Sequence, residues 1–250
     1  MQRSILITLC SLGLILTTRG ATVWSPYNGG GGSGGSVFPF VPTPDVAPSV
    51  RYQQVYGAAD FNRVGGPFLI TQIRFAGGSG SSAIDANLPN VRIELSTTTR
   101  KPDGLSTVFA ENVGADNLVV YAGPLHFYDR GIQRFDIRIP LQTPFRYDPQ
   151  AGDLLMDVRN FQTAPNIFGG PGFMAGPTVL GDTVSRQYSR DVNSPTAAVV
   201  DTLGLETMFD VTIVPEPNTW AMLMMGVVIL IVGTQPRVRG WLAGFRRQKH

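Results

Sequence analysis

The sequence predicts an all-β fold: an antiparallel β-sandwich of jelly-roll-like type, followed by a single C-terminal transmembrane helix. Three observations lead there. Apolar and polar residues alternate with period two along at least five stretches. Glycine- and proline-bearing turn signals separate those stretches. One apolar run near the C-terminus is followed by arginines.

Taken in order, the first segment is residues 1–20. Arg3 supplies a positive start, Ser4 to Leu16 form an apolar stretch, and Thr18 and Gly20 place small residues at the −3 and −1 positions of a cleavage site. This is the layout of a secretory signal peptide, and the run is short for a membrane span. An uncleaved N-terminal anchor is the alternative. Cys10, the only cysteine, lies inside this segment, and Leu9 before it is too bulky for a lipoprotein site. A mature exported chain without cysteine uses no disulfide, no thiolate and no cysteine-bound zinc.

Residues 21–49 carry GGGGSGGS (Gly29 to Ser36) and then VFPFVPTPDVAP. Gly/Ser runs are flexible coil and proline-spaced stretches favour extended backbone, so a linker is expected here. A phosphate-binding loop would need a Lys-Ser/Thr pair and a strand–helix setting, and neither accompanies these glycines.

Residues 50–213 are long enough for one single-core domain. Leu69, Thr71, Ile73 and Phe75 alternate with Ile70, Gln72 and Arg74, and Val91, Ile93 and Leu95 with Arg92, Glu94 and Ser96. Phe135, Ile137, Ile139 and Leu141 alternate with polar neighbours, as do Leu154, Met156 and Val158, and Phe209, Val211 and Ile213. Period two with one polar face predicts half-buried antiparallel strands. Turn chemistry separates them at Gly77–Gly80, Lys101–Gly104, Asp129–Gly131 and Asp148–Asp153. No stretch here holds a sustained helical period, and no internal repeat points to a propeller or β-helix.

From Ala21 to Val214 there are 13 Lys and Arg against 17 Asp and Glu, a net of −4. An acidic body without a basic patch excludes nucleic acid as the expected partner.

Candidate chemistry in the body is sparse. His126, its only histidine, alternates with Leu125 and Phe127 and is expected on a strand surface or edge. Asp148, Asp153 and Asp182 sit in expected loops and are the candidates for a structural calcium site; no other cofactor is expected. Asp157 with Arg159, and Asp136 with Arg138, are expected as surface charge pairs. Tyr52, Tyr56, Tyr121, Tyr128, Tyr147 and Tyr188 are the aromatics that a sugar-binding face would draw on, with core packing as the alternative. The apolar loop Asn166 to Pro177, holding Phe168, Phe173 and Met174, is expected to tuck over the core. Nothing singles out a catalytic residue.

Residues 214–250 close the sequence. Val214-Pro215-Glu216-Pro217 precedes an apolar run from Trp220 to Gly233 and the basic residues Arg237, Arg239, Arg246 and Arg247. With its flanking polar residues the run is about 17 residues, or ~25 Å of helix. It spans a ~30 Å hydrocarbon core with snorkelling arginines, which stay cytoplasmic. The two prolines fix φ and remove backbone donors, keeping the step extended ahead of the helix that Asn218 can cap.

This ordered tail closely resembles the PEP-CTERM sorting signal. The resemblance implies an exported precursor held in the inner membrane and recognised at Val214–Pro217 by an exosortase-type enzyme. It further implies tail removal and delivery to the cell surface or an extracellular polysaccharide matrix. Leu95 to Gly123, Thr143 to Phe161 and Asp201 to Pro217 resemble β-rich domains of such proteins, which implies no established activity. The expected function is therefore that of a non-enzymatic surface or matrix protein. The alternatives are a carbohydrate-binding or carbohydrate-active sandwich and a permanently anchored surface protein.

Overall fold

The computed structural model describes residues 19–27, 34–40, 49–78, 84–129, 135–161, 172–176 and 178–213, with Met224, Gly226 and Val227. The chain divides into two compact units, Met1–Ile213 and Val214–His250. In the second, the three described residues are helical, and Met224 and Val227 are exposed. Apart from these three residues the expected transmembrane helix lies outside the described residues, among which no helix is long and apolar enough to cross a membrane.

The first unit is all-β, built from two large antiparallel sheets. One has the order β1-β12-β4-β7, from Gly20–Ser25, Thr207–Ile213, Phe68–Phe75 and Ile137–Tyr147. The other has the order β11-β10-β3-β8-β5-β6, from Val199–Asp201, Val184–Ser189, Val50–Tyr56, Asp153–Asn160, Ile84–Thr98 and Leu118–Asp129. A short pair joins β2 (Gly34–Ser36) to β9 (Phe173–Ala175).

The inner faces of both sheets enclose one core. Tyr56 of β3 meets Phe209 of β12 edge to face, with ring centroids 5.1 Å apart. Phe61, on the 3-10 segment Ala58–Val64, packs edge to face on Tyr147 at 5.1 Å and against Phe209 at 5.4 Å. Fully burying each such ring stabilises the fold by roughly 1.5–3 kcal/mol. Ile93, Leu95, Leu154, Met156 and Val158 complete the wall from β5 and β8, as their alternation predicts.

In β4 the alternation breaks phase. Phe68 and Ile70 are buried, then Ile73 and Phe75, while Leu69 and Thr71 are only half-buried. Against β12 the register shifts between Asp210 and Val211, where Thr71 is the extra residue of β4, and against β7 it shifts between Ile70 and Gln72, where Ile70 faces Phe145 and Gln72 faces Pro140. A bulge flips which residues face inward, so Leu69 and Thr71 do not share a face with Ile73.

The stretch expected as a linker differs most from expectation. Its described parts form β1, paired with β12 from Gly20 opposite Thr212 to Ser25 opposite Thr207, and β2. Phe38 and Phe40 are buried, Phe38 stacked on Tyr188 at 4.1 Å and Phe40 against Phe75 and Phe173. Burial of these rings outweighs the chain entropy of their Gly- and Pro-rich surroundings. Phe173 is fully buried, so the described part of the apolar loop is tucked into the core.

The loop 99–117 folds back over the outer face of the six-stranded sheet. Leu105 and Val113 cover Val55 and Leu155, and Gln53 donates to the Phe109 carbonyl at 3.1 Å while accepting from Asn112 at 3.0 Å. The turn beneath it closes as expected, with Gly104 N–H bonding Lys101 O at 2.9 Å and Asp103 at φ 61°. This cover explains why every residue of β3 is buried, on both faces.

Candidate functional site

The expected sorting residues Val214, Pro215, Glu216 and Pro217, and the topology residues Arg237, Arg239, Arg246 and Arg247, lie outside the described residues. What is described is the point at which the domain hands over to them. Ile213, the last residue of β12, donates its N–H to the Arg19 carbonyl at 3.1 Å. Among the described residues, the pairing of the first strand with the last is thus followed up to the residue before the motif.

His126 stands on β6, the edge strand of the six-stranded sheet. It is exposed, and its Nε2 lies 2.8 Å from Asp85 Oδ1, itself exposed. Both members of this pair are more than half exposed, so water reaches them from the described side.

The calcium candidates are each engaged by the protein. Asp148 accepts from Gln150 N–H, Asp182 from Val184 N–H, and buried Asp153 from Ala58 N–H at 2.9 Å and Lys101 Nζ at 3.3 Å. Burial, and then the charges of Asp153, Asp148 and Asp60, push the Tyr147 hydroxyl well above its ordinary value. Burial likewise raises Asp182, with Asp103 and Asp60 adding to the effect. One end of the domain is therefore rich in carboxylates. Among the described residues, no group of three or more His, Cys, Asp or Glu converges in a way that could hold a metal.

A cavity of about 570 Å³ runs along β1, with Trp24, Tyr27, Asp60, Arg63 and Met208 in its wall. The Arg63 guanidinium covers the Tyr27 ring at 3.2 Å, so the aromatic face is already occupied. Arg19 and Gly20, from the expected signal segment, complete the wall. Of the tyrosines, Tyr52, Tyr56 and Tyr147 are fully buried and present no face to a sugar; Tyr128 is exposed.

The outer face of the six-stranded sheet carries the densest polar chemistry. In one cross-strand row Gln187, Gln53, Asp157 and Glu94 stand in register on β10, β3, β8 and β5. In the next row Ser189, Arg51, Arg159 and Arg92 do the same. Asp157 is not the partner of Arg159, as its spacing along β8 implies. It is buried and accepts from Arg51 Nη2 at 3.0 Å and Gln53 Nε2 at 2.7 Å. Under the covering loop the neighbours on β3 take Asp157, whereas Glu94 is paired with a residue of its own strand. Glu94 is held by Arg92 Nε at 2.6 Å and Asn117 Nδ2 at 2.5 Å.

Three comparisons, with protein-family models, with curated proteins and with solved structures, find nothing that matches this chain.

Proposed function

We propose that this chain is a non-enzymatic, exported protein of the cell surface or extracellular matrix, sorted through Val214–Pro217 by an exosortase-type enzyme. The observation that carries the reading is that strand pairing is described right up to the motif. Among the described residues Ile213 is the last held in the ladder, and the Pro-Glu-Pro step begins on the residue after Val214. Its prolines cannot donate to a ladder, so the step stays available in the extended form that a processing enzyme binds. The inner membrane holds the precursor by the apolar run, with Arg237, Arg239, Arg246 and Arg247 on the cytoplasmic side. Extracellular polysaccharide is the partner class after release, and neither metal nor cofactor has a role in this reading.

The strand orders β1-β12-β4-β7 and β3-β8-β5-β6 support a jelly-roll sandwich, in which successive strands cross between the two sheets. Strands β10 and β11 extend the second sheet beyond β3. Such a domain serves as a binding scaffold as readily as a catalytic one. The carbohydrate-binding alternative is favoured by one feature, the arginine row on the outer sheet face.

The sorting reading is tested by the C-terminal mass of the protein in cells with and without the sorting enzyme. A shortened C-terminus is expected only where the enzyme is present, and Glu216→Ala is expected to leave an unprocessed membrane precursor. A chain that ends at His250 in both strains would overturn the reading and leave a permanent anchor.

A further inference from the structure

Three arginines stand side by side on the outer face of the six-stranded sheet. Arg51 of β3 opposes Arg159 of β8, and Arg159 opposes Arg92 of β5. Like charges directly opposed across strands destabilise a sheet, so such a row needs compensation or a ligand.

Two of the three are compensated from the neighbouring row. Arg51 pairs with Asp157, donates to the Ser194 carbonyl and lies over the Phe109 ring at 4.4 Å, so it is buried and paired through its terminal nitrogens, with only its Nε lacking an acceptor. Arg92 uses its Nε on Glu94, while its side chain remains 44% exposed. Arg159, between them, has no hydrogen bond or ion pair among the described residues, and its Nε is closed off from water without an acceptor. A desolvated Nε with no acceptor is costly, and with that nitrogen closed off it is the terminal nitrogens of the half-buried side chain that remain for a ligand.

We propose that this row is a subsite for the carboxylate of an acidic sugar polymer, with Arg159 as the ligand-facing guanidinium and Arg92 as its second arm. Three arginines against Asp157 and Glu94 leave one net positive charge, which a monovalent anion balances. The same two carboxylates, one row away, repel a dianionic phosphate. A planar carboxylate also matches the guanidinium fork in two parallel hydrogen bonds.

A sugar fits the ground beside the row. Phe161 N–H bonds the Asn90 carbonyl at 3.0 Å, which continues the β8–β5 pairing past Asn160. Alternation then sets half-buried Phe161 on the same face as Arg159. An apolar ring next to a guanidinium suits a pyranose that carries a carboxylate. The choice of a sugar as the bearer rests on the matrix reading above; the anion site itself does not.

The test is a calorimetric titration of the full-length protein in detergent with trigalacturonate. Binding that weakens as salt rises is expected. Arg159→Gln is expected to weaken it at least about tenfold, the loss of a charge-assisted pair. Arg92→Gln is expected to weaken it several-fold, and Arg138→Gln, on the other sheet, to leave it unchanged. Wild-type affinity in Arg159→Gln overturns the proposal. If that variant does not fold, wild-type affinity in the half-exposed Arg92→Gln overturns it instead. Equal binding of neutral cellotriose overturns the anion, and tighter binding of hexaglutamate overturns the sugar. Because the titration uses the unprocessed chain, failure of the sorting reading and failure of this site are separately visible.

Discussion

Arg51 and Asp157 form a 3.0 Å ion pair, 10% and 4% exposed, on the outer rather than the inner face of a sheet. The loop 99–117 makes this face an interior, with Phe109 stacked on Arg51 and Asn112 bonded to Gln53. Removing one member of a buried pair leaves the other charge uncompensated, at a cost of about 3–5 kcal/mol. Asp157→Ala is expected to lose that much in urea unfolding, and Asp157→Asn less, because its amide oxygen still accepts from Arg51. A loss below about 1 kcal/mol for the alanine variant would mean that water reaches the pair.

The same loop depends on Gly114. A Cβ built there would stand 1.8 Å from the Thr97 carbonyl oxygen, a backbone atom that cannot turn aside. The Gly114 N–H also donates to Ser96 Oγ at 3.1 Å, pinning the loop's return to β6. Gly114→Ala should therefore lift this end of the cover and destabilise the domain by roughly 1–3 kcal/mol. Hydrogen exchange should quicken in β3 and β8, beneath Leu105 and Val113, more than in β4 and β12. Equal protection in the two sheets would refute the cover's role.

Asp60 gives the stability of the domain a pH dependence of determinable sign. It is 7% exposed and accepts from Ser25 Oγ at 2.6 Å and Thr183 Oγ1 at 2.7 Å. Burial raises its carboxyl above the ordinary 3.8, and these hydrogen bonds only partly oppose the shift. The folded state therefore keeps this proton to higher pH than the unfolded chain does. Its contribution is fullest below the ordinary value and is lost as pH rises through the raised one. Measured against Asp60→Asn by urea unfolding, the wild type should lose relative stability from about pH 4 upward. A difference that is flat with pH, or rises, would count against the raised carboxyl.

How much of this was legible in the sequence depended on what covered each face. Strands β5, β7, β8 and β12 alternate because solvent or polar partners meet one side, and period two exposes them. Strand β3, VRYQQVY, does not alternate, because Arg51, Gln53 and Val55 are buried under a loop that folds back from elsewhere in the chain. The stretch 21–49 misled through composition: glycine and proline dominate it, while Val23, Phe38 and Phe40 supply its burial. Asp157 and Arg159 invited a pairing along one strand that the cross-strand register replaced with Arg51. The arginine row could not be seen in the sequence at all, since it exists only once β3, β8 and β5 are laid in register.

The position of β12 between β1 and β4 also sets a timetable. In its sheet, β1 is an edge strand bonded only to β12, so the first strand made must wait for the last one. Until Thr207–Ile213 has arrived, Val23 lacks its neighbouring strand and Tyr56 and Phe61 lack Phe209. Contacts between segments so distant along the chain form slowly and late. On the proposed export route, a chain built this way would stay threadable through a translocation channel for almost its whole length. Its core can close only when Thr207–Ile213, the last described strand, has emerged.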